Sequence, residues 1–210
     1  MAQTKTPDRR AQQLEQTGEA IETLNKTLQT VRKKQAREGE LASHLSGFYE
    51  EIDKLTKGKA LVEVTDLIVV QANDVIRDAK SIIESDIYLD RIKEFVPAGT
   101  NPVYPDVLLI LRAVQQSLER SRAQSEQRRN HLANLLVEAK TIHGALTCLI
   151  GYKVSSPLKE QVEKLVDGPI ANKWFPGTYA SGFHFDFARL DFYVLKDYLS
   201  EHRGIQEPEE

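Results

Sequence analysis

The sequence predicts an all-α fold, an elongated helical bundle, and three observations carry that expectation. Apolar residues recur at steps of three, four and seven along much of the chain, Asp106 to His143 contains neither Gly nor Pro, and the remaining Gly and Pro gather at a few punctuation points. Three regions follow. Residues 1–40 form a coiled-coil-like N-terminal arm. Residues 41–151 form a bundle body with a Pro/Gly loop at 97–105. Residues 152–210 form a small aromatic-rich module that ends in an acidic tail.

In the arm, Leu14, Ile21, Leu24, Leu28 and Val31 are spaced by seven, three, four and three residues, which is a heptad seam. The seam disappears between Arg32 and Glu40 and resumes out of phase at Leu41, Leu45, Phe48, Ile52 and Leu55, so a kink or stutter is expected at Gly39. One narrow apolar stripe without aromatics does not hold a helix by itself, so the arm needs a partner helix. A stop is expected near Gly58. The next segment, from Leu61 to Ile83, carries a wide apolar stripe at helical spacing and reads as a core helix, although its β-branched start, Val62 to Val70, is also compatible with a strand. A short helix from Ile87 to Phe95, capped by Ser85 or Asp86, should end before Pro97.

A helix starting near Pro105 can run to about Ile150. Its ends are apolar, whereas Glu119 to Asn130 is polar apart from Ala123. The middle is therefore expected either to lie in solvent or to turn back as a hairpin near Ser125. Ser155-Ser156-Pro157 opens a short helix that closes at Asp167-Gly168-Pro169. Nine of the fifteen aromatic residues fall between Trp174 and Tyr198, and a last helix is expected over Phe187 to Glu201.

Charge and cysteine content narrow the function classes. With 28 Lys and Arg against 31 Asp and Glu, the net charge of −3 gives no general attraction to nucleic acid or anionic lipid. Local excess remains, because residues 1–40 and 107–150 are net basic and the other stretches net acidic. Arg32, Lys33, Lys34, Arg37, Arg120, Arg122, Arg128 and Arg129 are the candidate phosphate contacts. Interleaved Glu38, Glu40, Glu119 and Glu126, and the lack of a neighbouring aromatic to stack on bases, favour a solvated or protein-facing surface. The single cysteine, Cys148, excludes an intrachain disulfide and suits a packed small hydrophobe. The first ten residues do not read as a secretory signal, no apolar run approaches the ~20 residues that span a bilayer, and a cytoplasmic location is expected.

Catalytic and metal-binding patterns do not assemble. Thr56-Lys57-Gly58-Lys59-Ala60 lacks the first glycine and the hydroxyl of a phosphate-binding loop. None of the five histidines follows a Glu at the spacing of a di-metal bundle. His184 with Asp186, and Arg37 with His44, are the pairs that an enzyme would use. Neither makes a complete site, so no catalytic, cofactor-binding or metal-binding residue is assigned and no cofactor is expected. The function read from the sequence is that of a non-enzymatic interaction or scaffold protein. It would associate with a second copy or another subunit through Leu14, Ile21, Leu24, Leu28 and Val31. The alternative is an accessory subunit of a nucleic-acid-handling assembly.

Overall fold

The computed structural model describes residues 6–59, 62–83, 86–95, 102–151, 156–175 and 188–202, and these are folded as an all-α helical bundle. The described helices are α1 (Thr6–Lys59), α2 (Asp66–Ile82), α3 (Ile87–Arg91), α4 (Tyr104–Gly151), α5 (Pro157–Asp167), α6 (Pro169–Trp174) and α7 (Ala188–Glu201). The chain divides into two compact units. A central unit comprises Leu28–His131, and a terminal unit combines Met1–Thr27 with Leu132–Glu210. The long helices α1 and α4 contribute to both.

α1 runs through Gly39 without a break, which corrects the expected kink. The reason lies in what occupies the seam. Thr17, Leu24, Val31, Glu38, Leu45 and Ile52 follow one another at intervals of seven, and all are buried except the half-buried Leu24. The seven-residue series is continuous, and only its flank changes, from Ile21 and Leu28 four positions on to Leu41 and Phe48 three positions on. A carboxyl group at residue 38 hides this continuity from hydropathy. α4 is likewise continuous, so the hairpin alternative is excluded. Its inward face passes from Leu111, Val114 and Leu118 through Ser121 and Ser125, keeping the heptad spacing while the side chains become small and polar.

In the central unit, the end of α1 leads into an extended stretch in which the Val64 N–H donates to the Pro102 carbonyl at 2.9 Å, beside the start of α4. Further along, Glu38 of α1 meets Ser121 and Ser125 of α4. Within this unit the two helices are therefore antiparallel. The expected β-branched segment splits at this point. Glu63 makes an isolated antiparallel bridge with Val103, and the helix begins only at Asp66. α2 buries a broad face between its neighbours, with Ala72 and Ala79, seven residues apart, fully enclosed and allowing close approach. Leu45 and Ile52 of α1, Val75 and Ile76 of α2, Leu89 of α3, and Leu111 and Leu118 of α4 belong to one core.

α3 starts where expected, with the Asp86 carboxyl accepting from the Tyr88 and Leu89 N–H groups at 2.8 and 3.1 Å. It stops at Arg91, four residues before the expected end, because residues 92–95 bond to α2 instead of continuing a helix. The Asn73 side chain donates to the Phe95 carbonyl (2.8 Å) and accepts from the Phe95 N–H (2.7 Å), while the Lys80 ammonium donates to the Ile92 carbonyl.

The terminal unit gathers the end of α4 with α5, α6 and α7 around Ile142, Leu146, Val162, Ile170, Leu195 and Tyr198. Ser156 caps α5 by accepting from the Lys159 N–H, and Pro157 occupies its first turn. Gly168 joins α5 to α6 where a Cβ would stand 2.8 Å from the Lys164 carbonyl oxygen, so a side chain there forces the backbone apart. At Gly144 the Leu199 side chain of α7 lies so close that a Cβ would meet it at 3.2 Å. Arg10 reaches Glu163 and Asp167, both at 3.3 Å, and offsets two carboxylates near the C-terminal end of α5, where the helix dipole disfavours negative charge. Trp174 Nε1 donates to Glu138 at 3.0 Å and fixes α6 on α4. The other aromatic residues differ in placement: Phe175 and Tyr198 are buried and Tyr193 is exposed. Tyr179, Phe183, Phe185, Phe187, most of the Pro/Gly loop and the acidic tail lie outside the described residues.

Asn73→Leu should leave both backbone groups of Phe95 unmatched and cost about 1–3 kcal/mol, read from the shift in urea midpoint. In limited proteolysis, chymotrypsin should then cleave after Phe95 before it cleaves after the buried Phe48.

Candidate interaction surface

The five seam residues fall into two groups. Leu28 and Val31 are enclosed by the chain itself, at 5% and 6% exposure, in the central unit. Leu14, Ile21 and Leu24 belong to the terminal unit and are only partly covered, with Leu14 packed against the edge of the terminal core. On α4 of the same unit, Leu132, Leu135 and Leu136 are also partly covered, and Val137 beside them is exposed. The two helices are in contact in this unit, since a Cβ on Gly18 would lie 3.9 Å from His143 Nε2. Ile21, Leu24, Leu132, Leu135 and Leu136 belong to neither large core. Ile21 and Leu24 share one face of α1, Leu132, Leu135 and Leu136 share one face of α4, and all five keep part of their apolar surface uncovered.

The seam also contains polar residues that hydropathy does not identify. Gln13 and Thr17 are buried in the terminal unit. The Thr17 hydroxyl donates back to the carbonyls of Gln13 and Leu14, and the Gln13 carboxamide has no hydrogen-bond partner among the described residues. In the central unit the Glu38 side chain is fully buried. Its Oε1 accepts from Ser121 Oγ at 2.6 Å and Ser125 Oγ at 3.0 Å, and its Oε2 has no hydrogen-bond partner among the described residues. Desolvating a carboxyl group costs several kcal/mol, and two hydroxyl donors on one oxygen offset only part of it.

Several of the basic residues singled out for phosphate are already engaged within the chain. Arg120 pairs with Asp86 at 3.1 Å, donates to Ser117 and lies 5.0 Å from the centre of the Tyr88 ring. Arg129 pairs with Glu126 and reaches Asn130, and Arg37 donates to Ser81. Lys34 is partly buried, whereas Arg32, Lys33, Arg122 and Arg128 are exposed. A phosphate-binding reading therefore rests on these last four.

Of the pairs an enzyme would use, His184 and Asp186 lie outside the described residues. Arg37 and His44 are both exposed on α1. Cys148 is partly buried against the terminal core, and desolvation pushes its thiol up, away from the reactive thiolate. Among the described residues, no group of three or more His, Cys, Asp or Glu side chains could hold a metal ion, and no helix is long and apolar enough to cross a membrane.

No family model matches the sequence, and neither a curated protein nor a solved structure is significantly similar to it.

Asp86 links α3 to α4. Burial alone raises its carboxyl, but hydrogen bonds from the Leu89 and Tyr88 backbone and from Arg120 and Ser117 outweigh this and hold it below the usual aspartate range. A group depressed in the folded state stabilises above its unfolded value and loses that contribution as pH falls through the folded value. Asp86→Asn keeps the cap and removes the charge. At pH 7 it should cost no more than about 1 kcal/mol, because Arg120 is half exposed. In thermal melts below about pH 4, the variant should lose less stability per pH unit than the parent chain.

Proposed function

We propose that this chain is a helical interaction protein that associates through its N-terminal heptad helix with a second copy or another subunit, the contact being coiled-coil-like. The observation that supports this reading is the partly covered stripe of the terminal unit, Ile21 and Leu24 on α1 with Leu132, Leu135 and Leu136 on α4. A further apolar helix laid along it would remove that remaining area from water at roughly 25 cal/mol per Å². Leu28 and Val31 contribute by holding α1 in place rather than by contact, since the chain already encloses them.

The stripe is tested with Ile21→Gln and Leu24→Gln together, which keep side-chain volume and spare the buried core. Light scattering after size exclusion should find the parent chain above its monomer mass of 23.8 kDa, or a helical partner retained on it. The double variant should be a monomer of unchanged helicity with no partner. A parent chain that is monomeric and retains nothing, or a variant that associates as well as the parent, refutes the assignment.

A further inference from the structure

We infer that the α1–α4 seam of the central unit carries a built-in opening point at Glu38, where the two helices part ahead of the core on one side and of Leu28 and Val31 on the other. Three observations meet at this layer. The central core reaches Leu41 on α1 and Leu118 on α4 and goes no further toward Glu38 on either helix. Beyond them the inward positions are Glu38, Ser121 and Ser125, so this layer contributes little apolar area. The Glu38 side chain is fully buried, yet Oε2 has no hydrogen-bond partner among the described residues. If ionised, that oxygen lacks a donor. If protonated, its hydroxyl lacks an acceptor. In either form the closed state leaves a polar demand unmet that water would satisfy.

The serines hold the closed state only weakly. Elsewhere in this chain, helical hydroxyls turn back to the carbonyl four residues earlier: Thr17 to Gln13, Thr27 to Thr23, Thr56 to Ile52, Thr141 to Val137 and Thr147 to His143. Ser121 and Ser125 instead reach across to the carboxyl. When α1 moves away, both hydroxyls fall back to the carbonyls of Ser117 and Ser121, and neither is orphaned. Opening thus hydrates Glu38 fully and leaves each serine with a hydrogen bond, although a weaker one than the bond to the carboxyl. The same displacement at Leu45 or Ile52 exposes close-packed apolar surface.

Native-state hydrogen exchange on the full chain tests this directly. Amides of residues 35–40 and 120–126 should exchange at least about tenfold faster than those of 28–33 and of 45–52 on either side. Glu38→Leu should raise the melting temperature and slow the 35–40 segment to the rate of its neighbours. Ser121→Ala with Ser125→Ala, which removes both donors from the carboxyl group, should speed it further. Three results would overturn the inference: protection that varies smoothly through residue 38 in the parent chain, faster exchange in Glu38→Leu, or an unchanged rate in the double serine variant.

Discussion

Long helices in water depend on one requirement: the same face must stay covered over every turn. α1 meets it with a residue every seven positions from Thr17 to Ile52, and α4 with a matching succession through Leu111, Leu118, Ser125, Leu132, Ala139 and Leu146. The other described helices pack on it within each unit. In the central unit α2 closes the open side with a broad apolar face, and α3 with residues 92–95 is tied down by hydrogen bonds to α2 and α4. In the terminal unit α5, α6 and α7 gather on the end of α4, with Arg10 of α1 held by α5 and Leu199 of α7 fitted over Gly144.

The quality of coverage varies along the pair. Where three helices meet, Leu45, Ile52, Leu111 and Leu118 are essentially inaccessible. In the terminal unit, Ile21, Leu24, Leu132, Leu135 and Leu136 keep part of their surface in water. Two adjacent helices make a seam, but they cannot enclose it on all sides. That geometric fact, more than any single residue, makes the stripe the surface to which we assign association.

The helical class and most of the elements were legible because they rest on periodicity and punctuation. Ser156-Pro157 and Gly168-Pro169 mark α5 within a residue or two, and the absence of Gly and Pro from Asp106 to His143 marks the body of α4. The misplaced features share one physical cause, the use of polar side chains in structural positions. Glu38, Gln13, Ser121 and Ser125 occupy the seam, so an apolar count sees a gap in α1 and a solvated middle in α4 where the packing continues. The end of α3 was hidden for a related reason. Asn73 supplies the donor and acceptor that another strand or a helical turn would otherwise give to Phe95, and nothing local to residues 92–95 signals it. The interaction stripe was half legible: its α1 side follows from spacing, while its α4 side depends on which leucines other helices leave uncovered.

The unbroken sevens constrain how the chain can change length. Adding or removing one residue between Val31 and Leu45 rotates everything beyond it by about 100° around α1, turning Leu45 and Ile52 away from α4. A change of seven residues restores the facing side chains but shifts them by two turns, so Glu38 would no longer stand opposite Ser121 and Ser125. Within the paired stretch of the long helices, insertions and deletions are therefore tolerated only as whole repeats made in both at once. The facing stretches of the two helices in the central unit are thus bound to change length together.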